Sequence, residues 1–266
     1  MGRLKEQFPT AVVTGPSSGL GFAFTKMLLD EGVEVLGVSR QPDVFAGEPG
    51  YEPITCDLSN TVEATRAFEE IFRRASPISL VINNAGYGVL EMLAEMDLEK
   101  IQHQYQVMLE APTIISSLAT KHFAKNSNGC LVNVSSLAAE LPLPLMPVYN
   151  ATKAGLSALS ESLILEELEN RFTVIDFRPG DFNTPFAAQM EGEVHWNGIN
   201  LREVMDHHHA SAPDVSLAVE GLRHALIRNR SGIVRVGNFF QARIAPLGRF
   251  LPRHWLHWLI RQYYKR

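Results

Sequence analysis

The sequence predicts a doubly wound α/β domain: one mostly parallel sheet of seven strands with helices covering both faces. Three observations predict it. Short runs rich in β-branched residues alternate with longer segments of helical periodicity from Ala11 to Val236. The runs are predominantly hydrophobic and do not alternate regularly with polar residues, the pattern of strands buried on both faces. The first run leads straight into a glycine-rich turn, Gly15–Gly21 (GPSSGLG), that opens a helix. Right-handed crossovers between such units give a Rossmann-type arrangement, with ligands held beyond the C-terminal ends of the strands. At 266 residues, 45% hydrophobic and 20% charged, the chain suits one large domain with a full core.

The elements follow in order. Ala11–Thr14 reads as the first strand and Gly19–Glu31 as the next helix, with Phe22, Met27 and Leu28 as apolar positions. Val33–Ser39 is the second strand. Pro53–Cys56 is a short third, after a loop rich in Pro and Gly, and Val62–Ala75 is helical. Ser79–Asn83 is the fourth strand. Asp97–Phe123 is one long helix or two, because Pro112 lies inside it. Cys130–Ser135 is the fifth strand, Ala151–Asn170 a strong helix, Thr173–Phe177 the sixth strand and Gly232–Val236 the seventh. Asp181–Pro213 breaks the rhythm just past a strand end, where a lid over a substrate belongs. The expected organisation is therefore a domain over 1–238, with the lid at 181–213 inside it, and a tail over 239–266.

The glycine turn points to a dinucleotide. Glycines permit a tight turn and close approach of a pyrophosphate to the backbone, and the helix after them offers free N–H groups and the positive end of its dipole. Gly15, Ser17, Ser18, Gly19, Leu20 and Gly21 are the candidate residues. The end of the second strand selects the cofactor. An acidic residue there would accept from the 2′-hydroxyl of NAD, but the chain has Ser39-Arg40. A guanidinium beside a hydroxyl suits a 2′-phosphate, so NADP(H) is preferred over NAD(H), the alternative being a solvated loop arginine.

Tyr149 and Lys153 form YxxxK, one face of a helix if the segment is helical, and Ser136 ends the fifth strand thirteen positions earlier. Carbonyl reduction needs a hydride on carbon and a proton on oxygen. A nearby ammonium is expected to lower the tyrosine pKa from about 10, so that Tyr149 acts as general acid in reduction or base in oxidation. Lys153 would also bond the nicotinamide ribose, and the Ser136 hydroxyl would orient the substrate oxygen.

Carrying these motifs together, the chain resembles the short-chain dehydrogenase/reductase family. The resemblance covers roughly Thr10 to Gly237. It rests on TGxxxGxG (Thr14–Gly21), Asp57, Asn83-Asn84-Ala85-Gly86, Ser136, Tyr149 with Lys153, and Pro179-Gly180 with Thr184. It implies that Asp57, with Leu58 beside it, meets the adenine and that Asn84, Ala85 and Gly86 border the cofactor. Pro179, Gly180, Phe182 and Thr184 would flank the nicotinamide carboxamide. It also implies a homodimer or homotetramer.

One departure stands out: Met108 occupies the position of the family's helix Asn, which helps hold a relay water near the Lys. A thioether cannot replace an amide's donors and acceptor. Either the relay is weakened, or the Met108 carbonyl, left without a donor by Pro112 four residues on, carries it. Met108 read plainly is a core gap-filler.

The remaining features narrow the function. The two cysteines, Cys56 and Cys130, exclude a disulfide scaffold and favour a reducing compartment. No signal peptide or membrane-spanning run is visible, so a cytoplasmic protein is expected. His207-His208-His209 lacks ligand spacing, and no metal is expected. Net charge is −5, yet no Asp or Glu follows Glu220 while ten Lys/Arg do. In the tail, Leu251, Trp255, Leu256, Leu259, Ile260 and Tyr263 form a stripe opposite Arg253, His257, Arg261 and Lys265. That stripe either meets a membrane surface through 251–266 or docks on its own domain or a subunit. Nucleic acid has no motif behind it. Phe182, Phe186, Met190 and Trp196, with the run Leu141–Val148, argue for a lipophilic substrate. The reading is an NADPH-dependent oxidoreductase interconverting a carbonyl and an alcohol; the alternative is a weakly active or non-catalytic NADP(H)-binding relative, on the strength of Met108.

Overall fold

A computed structural model describes residues 3–74, 77–126, 128–166, 172–186, 190, 192, 195–196, 199–200, 203–204 and 212–263. After a short helix α1 (Arg3–Gln7) come β1 (Thr10–Thr14), α2 (Gly19–Asp30), β2 (Glu34–Ser39), β3 (Tyr51–Thr55), α3 (Thr61–Phe72) and β4 (Leu80–Asn83). Then follow α4 (Leu98–Tyr105), α5 (Ala111–Asn126), β5 (Cys130–Val134), α6 (Pro147–Glu166) and β6 (Thr173–Pro179). A small ribbon pairs His195–Trp196 with Ile199–Asn200, and α7 (Ser216–Arg228), β7 (Gly232–Val236) and α8 (Arg253–Tyr263) complete the order.

The seven strands lie in the order β3-β2-β1-β4-β5-β6-β7, each pair parallel. The chain reverses its direction of travel across the sheet between β1 and β4, which opens a crevice at their C-terminal ends. Successive strand residues feed opposite faces. Ala11 and Val13 join one core layer with Leu80, Ile82, Val132 and Phe177, while Val12 joins the other with Val81, Leu131 and Val174. Both layers are largely apolar, which is why β1 and most of the other central strands read as hydrophobic runs. The edge strand β3 is more exposed and tolerates Pro53, which has a neighbour only on the β2 side.

The segment around Pro112 is one run with a wide turn in it. Pro112 has no N–H for the Met108 carbonyl, and its ring crowds that carbonyl. The backbone relaxes into a single π turn over Gln106–Glu110, where the Ala111 N–H bonds the Gln106 carbonyl. Helix α6 starts earlier than its periodicity suggests, at Pro147, because proline is at home in a first helical turn. Helix α7 has no counterpart in the sequence reading. It ends at Asn229, which takes a left-handed conformation (φ 44°) and returns its N–H to the Ala225 and Leu226 carbonyls. His207-His208-His209 and much of 181–213 lie outside the described residues.

Candidate active site

A cavity of about 890 Å³ opens at the crevice. Its walls include every proposed cofactor residue but one: Gly15, Ser17, Ser18, Gly19, Leu20, Ser39, Arg40, Asp57, Leu58, Asn84, Ala85, Gly86, Tyr149, Lys153, Pro179, Gly180, Phe182 and Thr184. Ser136 lines it as well. Gly21 stands behind the wall. A Cβ there would fall 2.0 Å from the Gly15 carbonyl oxygen, so Gly21 lets the helix pack on the turn and does not itself face the cavity.

The glycine turn is held from beneath by β4. Thr14 Oγ1 accepts from the Asn84 and Ala85 N–H groups at 2.9 and 3.0 Å, and the Asn84 amide donates to the Thr14 carbonyl at 3.0 Å. Gly15 takes φ +67°, and a Cβ on it would sit 3.0 Å from Ala85 Cα. The turn therefore presents bare backbone to the cavity, shaped for a close-approaching anion.

At the end of β2 the Ser39 hydroxyl is buried and, among the described residues, has no hydrogen-bond partner, while the neighbouring Arg40 is exposed. A buried hydroxyl beside a cation can donate to an anionic or polar group of a bound nucleotide. Asp57 is the nearby acid. Burial pulls its carboxyl upward, but the Ser59 N–H (2.9 Å) and hydroxyl (2.8 Å) and the field of Arg40 hold it below the usual carboxylate range.

At the other end, Tyr149 and Lys153 are both buried on α6, one turn apart. The expectation that Lys153 lowers the Tyr149 pKa is overturned. Burial pushes the phenol up to about 12, the charge of Asp181 adds to this, and the Ser136 hydrogen bond only partly offsets it. The Lys153 ammonium lies 5.8 Å from the centre of the Tyr149 ring and donates to the Val134 carbonyl at 2.8 Å. Burial brings Lys153 itself down to about 8, against the pull of Asp176.

Behind this pair lies a polar layer that the sequence reading missed. Asp176, fully buried on β6, accepts from the Ser135 hydroxyl, from Ser157 Oγ at 2.8 Å and from Arg178 Nε at 2.8 Å. Arg178 also reaches Glu140 and, at 2.6 Å, Glu161, and Arg235 bonds Glu140 at 2.7 Å. Alternate positions on a strand, Asp176 and Arg178, share a face, and that spacing was the available signal. A second buried chain, Asn83–Asn133–Ser160, ties β4 and β5 to α6.

Met108 is buried, and its thioether end and the Lys153 ammonium both flank Gly86. A Cβ built on Gly86 would meet Met108 Cε at 3.3 Å and Lys153 Nζ at 3.6 Å. The apolar cluster around Tyr149 comprises Leu90, Met108, Ala138, Met146 and Met190, with Tyr87, Leu143, Phe186 and Ile260 packed on it. Among the described residues no group of His, Cys, Asp or Glu is arranged to hold a metal ion, and both cysteines are buried.

Comparison with known proteins agrees with this geometry. The short chain dehydrogenase family model matches residues 9–194. A benzil reductase ((S)-benzoin forming) of Bacillus subtilis is 35% identical over 187 residues, 66% of this chain and 76% of that enzyme. A 3-ketodihydrosphingosine reductase of Bacteroides thetaiotaomicron is 30% identical over 66% of this chain, and the chain spans 65% of its length. A short-chain dehydrogenase from Sphingobium yanoikuyae in complex with NADPH shares the fold, with TM-score 0.72, 22% identity, and 85% and 87% of the two chains covered. The sheet order, the glycine turn at its switch point, the Ser136, Tyr149 and Lys153 constellation and these matches lead to one conclusion: the chain is a member of the short-chain dehydrogenase/reductase family of oxidoreductases.

Proposed function

We propose that this protein reduces a ketone or aldehyde on a lipophilic small molecule, with NADPH preferred over NADH, and that Ser136, Tyr149 and Lys153 handle the proton. One observation carries the proposal. Ser136, Tyr149 and Lys153 line the same cavity as the glycine turn and the Ser39–Arg40 end. A nicotinamide dinucleotide bound there supplies a hydride to carbon.

The chain's own residues do the rest. The glycine turn and the α2 N-terminus hold a pyrophosphate, Ser39 and Arg40 a 2′-phosphate, and Asp57 the adenine end. Ser136 donates to the substrate oxygen and fixes its position beside Tyr149. With its pKa held near 12, Tyr149 keeps its phenolic proton at neutral pH and donates it as negative charge develops on that oxygen. The phenolate left behind faces Lys153, whose pKa near 8 makes it a ready source for returning the proton. Tyr87, Val107, Leu143, Phe186 and Met190 line the substrate end, exclude water and select an apolar group. Segment 181–213 acts as the lid over this end, and 239–266 as a tail outside the catalytic domain.

Turnover of a panel of lipophilic ketones and aldehydes with NADPH and with NADH, comparing the protein with its Tyr149→Phe variant, tests the proposal. Equal rates for the two proteins, or faster turnover with NADH, would overturn the corresponding half of it.

A further inference from the structure

The last segment of the chain presents a surface that catalysis does not use. Half of the large exposed hydrophobic side chains among the described residues fall between 239 and 259. Phe239, Phe240, Leu247, Trp255, Trp258 and Leu259 are each between 44% and 75% exposed. Aromatic side chains left in water at this density mark a surface that meets something.

Helical periodicity divides α8 into three sectors. Leu256, which is buried, and Ile260, packed on the apolar cluster around Tyr149, hold the helix to the domain. Arg253, His257 and Arg261 follow one another at four-residue spacing along a second, exposed sector. Trp255, Trp258 and Leu259 form the third, also exposed. The expected single apolar stripe is thus split: part docks on the protein and part faces outward.

Charge decides between the possible occupants. From Phe239 to the last residue the chain carries six Lys/Arg and no Asp or Glu. Among the described residues, no carboxylate pairs with Arg243, Arg253 or Arg261. A second copy of the same face would bring cations against cations. A solvated basic face has no use for two exposed tryptophans. Tryptophan beside a row of cations is complementary to a lipid surface, with the rings at the headgroup level and the cations on anionic headgroups. No described helix is long and apolar enough to cross a membrane, so the contact lies in the interface plane.

We infer that α8 and the segment before it dock this protein on the surface of an anionic lipid bilayer. Ile260 and Phe186 share a cluster with Tyr149, so the docked helix lies beside the substrate end of the cleft and brings it to where lipophilic molecules partition. This consequence rests on the reductase reading; the docking itself does not.

Co-sedimentation of the full chain with phosphatidylcholine vesicles, with and without about one-third phosphatidylglycerol, tests the inference. Recovery is expected on the anionic vesicles, and roughly tenfold less on neutral ones or at high salt, where headgroup attraction is screened. Trp255→Ser with Trp258→Ser, and separately Arg253→Glu with Arg261→Glu, should each lower recovery about tenfold. These side chains are exposed, so the melting temperature and the turnover of a water-soluble ketone should stay unchanged. Failure of the wild type to sediment, or equal recovery of all variants, would overturn the inference. So would a tryptophan variant that lost self-association instead of vesicle binding, because a second copy would then cover the face. Turnover lost on a vesicle-borne ketone with vesicle binding intact would count against the reductase reading alone.

Discussion

At the nucleotide end of the cleft, each wall is a short stretch of chain at the end of a strand. Gly15–Leu20 follows β1, Ser39–Gln41 ends β2, Cys56–Leu58 follows β3 and Asn84–Gly86 follows β4. At the substrate end the walls arrive singly: Val107 from the π turn, Leu143 from the loop before α6, Phe186 and Met190 from beyond β6, and Ile260 packed on them from α8. The first arrangement recognises a ligand through backbone and a few fixed polar groups. The second recognises only size and apolarity. The chemistry proposed above falls at the seam, where α6 brings Tyr149 and Lys153 to the end of β5. On this reading the proposed cofactor site is stored in local turns and the proposed substrate site in long-range packing.

The seam should be the most sensitive place. Tyr149→Phe removes the proton donor without changing the apolar wall, and kcat should fall about a thousandfold with KM for NADPH nearly unchanged. Steady-state kinetics in both substrates check this; a parallel loss of NADPH binding would mean that the two ends are not separable.

The polar layer behind the seam comes next. Asp176→Ala strips Arg178, Ser135 and Ser157 of a shared acceptor in a fully buried position, and should lower stability by about 3 kcal/mol. Urea denaturation measures it, and Asp176→Asn should recover part of the loss by keeping an acceptor.

At the nucleotide end, Arg40→Ala should raise KM for NADPH by roughly ten- to a hundredfold, the size of a charge-assisted hydrogen bond, and leave NADH unaffected. Ser39→Asp should shift preference toward NADH. An unchanged ratio of the two kcat/KM values would move the selectivity to residues other than these.

The pH profile gives a smaller effect. Lys153 holds its proton below its depressed pKa of about 8 and loses it above, while Tyr149 stays protonated to about 12. Reductive kcat/KM should therefore be level near neutrality and decline above about pH 8, with Lys153→Arg removing that limb. The stability term has its own sign. A lysine whose folded pKa lies below its ordinary 10.5 favours the folded state above that value, and that contribution is lost as pH falls through 8.

The smallest expected change is at Met108. Met108→Asn should alter reductive kcat by less than about tenfold, the scale of one neutral hydrogen bond. A hundredfold gain would show that the Met108 thioether throttles the proton supply.

The sequence by itself determined the alternation of strands and helices, the glycine turn, the Ser39-Arg40 pair and the spacing of Tyr149 and Lys153. Each of these is written in residues close together in the chain, where backbone sterics and helical or strand periodicity act directly. The tertiary structure alone decided the rest. It set Gly21 behind the cavity wall, placed Met108 and Lys153 on either side of Gly86, and buried Tyr149 deeply enough to raise its pKa where a neighbouring ammonium had been expected to lower it. It gathered Asp176, Arg178 and Glu140 into one buried layer, and it split the amphipathic face of α8 into a docked half and an exposed half. Desolvation and packing depend on which distant segments come together, and no local pattern encodes how much water they exclude.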